Sequence, residues 1–262
     1  MLPALNPDFP ADLLSRVEDA GLNASAPPQQ RWLDGWLVRL SPGKAKRARC
    51  INAVSTGRLP LDQRLAQARA AYAEAGLPLM LRITPFTAPQ DLDAWLAAQG
   101  FETLDDTRVM VLESINGLGG GTLPPGCRLQ AATAPAFAEW VGAQRGSPQA
   151  QRAAHAERLL NSPVPYRGFL LMRHDEPVAG GQFAIEGEVA GLYDVFTAPE
   201  ARGHGLASAL CQAVLAQAAS AGARIGYLQV EQDNAPARAI YRRLGFRDAY
   251  SYFYRTDSAA AQ

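Results

Sequence analysis

The sequence predicts an α/β (α+β) protein of two tandem halves, each a mixed, mostly antiparallel sheet flanked by helices. Three observations carry this. Runs rich in Val, Ile, Tyr and Phe alternate with Ala- and Leu-rich helical stretches. The segment NGLGGGTLPPG, 116–126, puts four glycines within five positions ahead of a Pro-Pro pair, which neither a helix nor a central strand accommodates. The order of elements before that break recurs after it.

In the first half, Gly35 to Leu40 and Arg49 to Val54 are predicted strands. Leu61 to Ala75 is a helix stopped by Gly76, and Leu79 to Ile83 a strand. Asp91 to Gln99 is a helix stopped by Gly100, and Thr107 to Glu113 a strand. Beyond the break come a strand from Arg128 to Ala131 and helices from Pro135 to Gln144 and Gln149 to Leu160. Gly168 to Arg173, Val178 to Ile185 and Glu188 to Phe196 are strands around the turns at His174–Pro177 and Glu186-Gly187. Leu206 to Ala221 is a helix closed by Gly222. Arg224 to Glu231 is a strand, Ala235 to Leu244 a helix, and Phe246 to Arg255 a last strand. The stretch YAEAGLPLMLRI (72–83) parallels AASAGARIGYLQV (218–230), and AWLAAQGF (94–101) parallels IYRRLGF (240–246). Two helix stops and two strands recur at nearly equal separation, which indicates an internal duplication. The expected domains are therefore 1–115, a linker 116–126, and 127–262.

Bulk properties narrow the function. Hydrophobic residues at 48% and charged residues at 19% describe a globular chain. Lys+Arg and Asp+Glu are both 25, so nothing draws the whole molecule to nucleic acid or an anionic membrane. Cys50, Cys127 and Cys211 are odd in number and widely spaced, which fits a reducing cytoplasm and no disulfide framework. They form no CxxC and the three histidines no pair, so no metal site is expected. The N-terminus has neither the basic start nor the apolar run of a signal peptide, and no stretch is apolar enough to cross a bilayer.

The chemistry concentrates in VFTAPEARGHGLASAL, Val195 to Leu210. A strand ends at Pro199, two glycines flank His204, and a helix starts at once. Backbone N–H groups left bare by glycine, next to the positive end of a helix dipole, suit a phosphate or pyrophosphate. The loop is not a P-loop, since no Lys-Ser/Thr follows. It is not a dinucleotide fingerprint either: Ser208 stands where a third glycine belongs, and no acidic residue follows at the required distance.

Arg202-Gly203-His204-Gly205-Leu206-Ala207 resembles the Gln/Arg-x-x-Gly-x-Gly/Ala signature of the GNAT superfamily of N-acetyltransferases. Downstream, LQVEQDNAPARAIYRRLGF (228–246) resembles that family's strand, Asn-bearing turn and Tyr-x-x-x-Gly-Phe helix end. The resemblance covers about Arg128 to Arg255. It implies acetyl-CoA as cosubstrate, with its pyrophosphate on the segment Arg202, Gly203, His204, Gly205, Leu206, Ala207 and Ser208. Val195, Phe196 and Thr197 would bond the pantetheine arm and the thioester carbonyl. Asn234 would bond the pantetheine or cap the helix that follows, and Tyr241 would give a proton to the leaving thiolate or simply pack. Asp194, on a face predicted to be shared with Leu192 and Phe196, is the candidate base or substrate anchor, or else a structural hydrogen-bonding group; Glu231 is a weaker candidate.

His155 falls on a helix and His174 in a turn, without ligand spacing. Trp140 and Arg145 are candidates for the acceptor pocket. The resemblance implies a primary amine of a small molecule or a peptide as acceptor; the chain is expected to be a monomer or homodimer, and the bulk properties above point to the cytoplasm with neither nucleic acid nor membrane as partner. The alternative is a non-catalytic acyl-CoA-binding or sensing protein. The first half lacks the loop: Thr56-Gly57-Arg58-Leu59-Pro60-Leu61 has no paired glycines, and Pro60 removes an N–H. It resembles a degenerate copy. Its basic run KAKRAR, Lys44 to Arg49, is expected to be a solvated hairpin tip.

Overall fold

The structure is a computed structural model that describes residues 2–119 and 121–257. The chain divides into two compact units that are interleaved along the sequence rather than consecutive. The first contains residues up to Ser15, Ser25–Arg108 and the chain from Ala249 onward. The second contains Arg16–Ala24 and Val109–Asp248. Ala249–Thr256 thus falls in the unit built mainly from the first half of the sequence, and Val109–Leu112 in the unit built mainly from the second.

In order, the first half forms α1 (Ala11–Ala24), β1 (Gln29–Leu33), β2 (Trp36–Leu40), β3 (Ile51–Ala53), α2 (Leu61–Glu74), β4 (Met80–Ile83), α3 (Leu92–Ala98) and β5 (Glu102–Leu112). Helix α1 and strand β1 lie outside the predicted elements. The apolar rhythm of α1 is nonetheless helical, with Leu13, Leu14, Val17, Ala20 and Ala24 buried along one stripe. Within the first unit the strand order is β1-β2-β3-β4 and then β11 (Arg247–Thr256), with β3 and β4 parallel and the other pairs antiparallel. The β3–β4 crossover is α2. Its Leu65, Ala68 and Tyr72 pack with Leu92 and Leu96 of α3 onto Trp36, Val38, Ile51, Leu81 and Ile83. The Lys44–Arg49 run is not wholly solvated: Lys46 Nζ lies 2.9 Å from Asp105, and Arg47 donates to the Tyr252 hydroxyl at 3.4 Å.

The second half forms β6 (Cys127–Ala132), α4 (Ala134–Gln144), α5 (Gln149–Leu160), β7 (Tyr166–Arg173), β8 (Glu176–Glu186), β9 (Val189–Thr197), α6 (Leu206–Ser220), β10 (Ile225–Glu231) and α7 (Ala235–Arg243). Within its unit the strand order is β10-β9-β8-β7-β6, antiparallel except for the parallel β9–β10 pair, whose crossover is α6. Leu206, Leu210, Val214 and Leu215 of α6 are buried against Phe183, Ala190, Leu192 and Leu228, at about 1.5–3 kcal/mol per large side chain. On a second cluster, Phe137 and Val141 of α4 and Leu159 of α5 cover Leu170 and Met172. Leu118 and Leu123, on the Gly/Pro segment before β6, pack against the α6 core.

Each unit therefore has one parallel strand pair bridged by a helix. The four helix ends of the duplicated pattern close alike. Leu77 N donates to Tyr72 O, Phe101 N to Leu96 O, Ala223 N to Ala218 O and Phe246 N to Tyr241 O, across glycines 76, 100, 222 and 245 at positive φ. This is the Schellman closure, and it accounts for the recurring helix–Gly–strand pattern.

Candidate active site

The loop before α6 has the geometry of an anion cradle. Gly203 has φ 81° and Gly205 φ 72°, the left-handed region that a side chain resists. A Cβ at either position would meet nothing within 4 Å, so this side of the backbone lies open. Gly205 is the N-cap of α6 and supplies no side-chain cap, which leaves first-turn N–H groups for an external acceptor. Arg202, Gly203, His204 and Gly205 are exposed, Ala207 and Ser208 half-buried, and Leu206 is buried as the anchor that seats the helix start. Arg202 Nε donates to Thr197 O at 3.3 Å, tying the loop to the end of β9. His204 Nδ1 lies 2.8 Å from the Arg202 carbonyl, so the side chain braces the loop.

The strand leading into the loop separates from its neighbour. Among the described residues, the β9–β10 register runs from Val189–Ile225 to Leu192–Leu228 and stops, while β9 continues to Thr197 and β10 to Glu231. Val195, Phe196 and Thr197 all lie beyond that end, half-buried. Thr197 Oγ1 is buried without a hydrogen-bond partner among the described residues.

At the same place β9 carries a bulge. Gly180 pairs with Phe196 but Gln182 with Tyr193, so Asp194 and Val195 together oppose Gly181. Asp194 has φ 50°, unusual for a residue with a side chain. The bulge breaks the predicted alternation. Leu192 and Val195 join the α6 core, whereas Phe196 joins the α4 cluster. Asp194 and Leu192 therefore do not share a face; Asp194 turns toward α4 and α5.

Three elements meet its carboxylate there. Gln182 Nε2 donates to Oδ2 at 2.7 Å, Arg145 lies 3.1 Å from Oδ1, and His155 Nε2 stands 3.2 Å from Oδ2. Burial would raise the Asp194 pKa, but His155, then Arg145 and Arg158, outweigh it and hold the carboxyl well below the usual carboxylate range. The guanidiniums of Arg145 and Arg202 each lie 5.6 Å from the Phe196 ring centre, and Trp140 meets the same ring edge-on at 6.4 Å. The sequence offered no signal for His155. It is one histidine on a helix, remote in sequence from its partner, and only the fold brings the two together.

Asn234 caps α7, its Oδ1 accepting from Ala237 N at 3.3 Å. Tyr241 is buried against Phe246, the rings 6.1 Å apart, beside Cys211 of α6. Burial, with Cys211 adding to it, pushes the phenol well above its ordinary pKa. The Tyr241 hydroxyl makes no hydrogen bond among the described residues. Glu231 closes β10 at the exposed surface.

The segment 134–246, from α4 to the end of the α7 closure, matches the acetyltransferase (GNAT) family. These residues are a GNAT acetyltransferase domain. A mycothiol acetyltransferase of Clavibacter michiganensis is 34% identical over 154 residues, which is 54% of this chain and 49% of that protein. The chain spans about half the length of the curated mycothiol acetyltransferases it matches here. A GCN5-related N-acetyltransferase from Kribbella flavida superposes with a TM-score of 0.69 at 19% identity, covering 94% of this chain and 95% of that one. A tandem GNAT protein from the clavulanic acid biosynthesis pathway superposes at 0.59 and 15% identity, covering 74% and 68%. The chain shares its fold with these structures, of which the second is a tandem GNAT protein.

Among the described residues of the first unit, the GNAT loop has no counterpart. There the chain leading into α2 is bound by the protein's own carboxylate. Asp34 Oδ2 accepts from the N–H groups of Arg58 and Leu59, each at 2.7 Å, and Arg64 lies 3.8 Å away. The hydrogen bond from Leu59 is the largest influence on this carboxyl, and it lies below its ordinary pKa. Gly57 has no room for a Cβ, which would fall 2.3 Å from Asp34 O.

Proposed function

We propose that the chain transfers an acetyl group from acetyl-CoA to a primary amine of a small molecule or peptide, using one active site in the second unit. The observation that carries this is the coincidence, within Asp194–Ser208, of the strand split, the bulge and the open loop. Acetyl-CoA supplies the activated acyl group. The backbone N–H groups of Gly203 to Ala207 hold its pyrophosphate, and the helix dipole favours the charge. Val195 and Phe196 offer strand backbone to the pantetheine arm, and the buried Thr197 Oγ1 is a further group awaiting a partner. A backbone N–H of β9 beyond the bulge polarises the thioester carbonyl and stabilises the oxyanion, a role worth about 3–4 kcal/mol elsewhere.

Tyr241 protonates the leaving sulfur. Its raised pKa keeps the proton in place at neutral pH, and its hydroxyl is not engaged in holding the fold. Asn234 braces α7 through Oδ1 and keeps Nδ2 for the cosubstrate. Asp194 positions its neighbours rather than accepting the proton, because a carboxylate so depressed is a poor base. A small-molecule acceptor is supported by the relatives named mycothiol acetyltransferase. The first unit, its Arg58-Leu59 backbone bound by Asp34 and its α2 led by Pro60, supports the fold without binding the cosubstrate.

The test is release of free thiol from acetyl-CoA across a panel of primary amines that includes amino sugars, cysteine esters and dipeptides. At least one amine is expected to give turnover, and Tyr241→Phe to lower it by roughly 100-fold. Tight acetyl-CoA binding without thiol release from any amine would instead identify a binding or sensing module.

A further inference from the structure

Acetyl transfer to an amine requires a group that removes a proton, because an aliphatic amine is protonated near neutral pH and its lone pair is then unavailable. Asp194 lies two residues past the last β9–β10 rung, and it is held by Gln182, Arg145 and His155 at 2.7 to 3.2 Å. Of these partners, the Gln182 carboxamide and the Arg145 guanidinium have no lone pair to take a proton at neutral pH, whereas an imidazole has one.

We infer that His155 of α5, positioned by Asp194, is the general base that accepts the proton of the acceptor amine. The assignment rests on the acetyl-transfer reading above and deepens it.

Four features place the pair where a base is needed. The bulge turns Asp194 away from the α6 core at the point where β9 and β10 part. His155 Nε2 lies 3.2 Å from Oδ2 of Asp194. The other ring nitrogen, Nδ1, makes no hydrogen bond among the described residues, and the imidazole side chain keeps 18% exposure. The remaining charges facing this pocket have identifiable partners. Arg152 of α5 pairs with Glu139 of α4, Arg158 lies 5.7 Å from the Tyr166 ring, and Arg145 lies over Phe196 as well as against Asp194. Asp194 gives the protonated imidazole a fixed counter-charge, as a buried carboxylate does for a catalytic histidine.

The proton balance closes. One proton passes from the ammonium to His155 and on to solvent. The neutral nitrogen attacks the thioester carbon, the C–N bond forms and the C–S bond breaks. The second proton leaves the nitrogen to His155 and, relayed through solvent, replaces the proton that Tyr241 delivers to the sulfur.

The test compares the unaltered chain with His155→Gln and Asp194→Asn in thiol release from acetyl-CoA between pH 5.5 and 9 (a range set by the ~6.5 of imidazole). Two acceptors are used: the best aliphatic amine of the panel, and hydroxylamine, whose nitrogen is already neutral at pH 7. With the aliphatic amine, His155→Gln should lower kcat/KM by roughly 100-fold and remove the acidic limb of the profile. The loss with hydroxylamine should be at least tenfold smaller, which a merely structural role of His155 would not produce. Asp194→Asn should move the acidic limb to lower pH, because the counter-charge that favours imidazolium is gone. Equal losses on both acceptors, or an acidic limb kept in His155→Gln, would overturn the base assignment while leaving acetyl transfer intact. No thiol release from the unaltered chain with either acceptor would overturn the transfer reading and this assignment with it.

Discussion

Asp194 is where residue chemistry most changes what the sequence suggests. A carboxylate on a central strand next to the loop invites the role of base, and in the reading proposed above its partners give that role to His155 instead. Asp194→Asn keeps the shape and tolerates the positive φ, so it isolates the charge. Its loss should cost about 2 kcal/mol at pH 7, measured by urea denaturation. The sign with pH follows from the depressed pKa. The contribution is complete above the unfolded value of ~3.9 and fades as pH falls below it. The gap between variant and unaltered chain should therefore narrow below about pH 4; a constant gap would mean that the charge is not what stabilises. Cys211, pushed up to about 12 by burial, should resist thiol reagents in the folded protein, and rapid labelling would contradict its place in the core.

At the scale of elements, the split is shaped by its last paired rungs. Gly191 faces Tyr227, and a Cβ there would lie 2.5 Å from the Tyr193 ring and 2.6 Å from the Tyr227 hydroxyl. Gly191→Ala should lower stability by about 1–3 kcal/mol and weaken acetyl-CoA binding together, read by denaturation and calorimetry. A loss of stability with binding unchanged would show that the split does not depend on this rung. Most of these elements were legible in the sequence because their signals are local: Gly222 and Gly245 end helices in the predicted way, and the two glycines around His204 adopt the open conformation the loop needs. The bulge was not legible. It depends on how β9 pairs with β8, and a one-residue offset reverses the face of every side chain before it. His155 stayed hidden for the same reason, since its significance comes from a partner on another element.

For the whole molecule, the interleaving of units matters most. Residues 127–262 contain the GNAT signature, yet the second unit also uses Arg16–Ala24 and Val109–Leu112, and the chain from Ala249 lies in the first unit. The hydrogen bond from Ile115 N to Arg224 O, at 2.8 Å, and that from the Tyr166 hydroxyl to Ala24 O, at 2.7 Å, are among the links a fragment would lose. Residues 127–262 expressed alone should lack a cooperative thermal transition, and co-expression with 1–126 should restore it. Cooperative unfolding of the fragment alone would instead mean that the linear boundary suffices. The repeated helix stops were visible in the sequence, whereas the interleaving of the two units is a long-range property that no local pattern records. The central claim, that the Arg202–Ser208 loop binds acetyl-CoA, is tested most directly by calorimetric titration of acetyl-CoA into the unaltered chain and into Gly205→Glu. Saturable binding to the former, weakened by roughly 100-fold or about 3 kcal/mol in the latter, is the predicted result. Equal affinity in a variant that is still folded would contradict it.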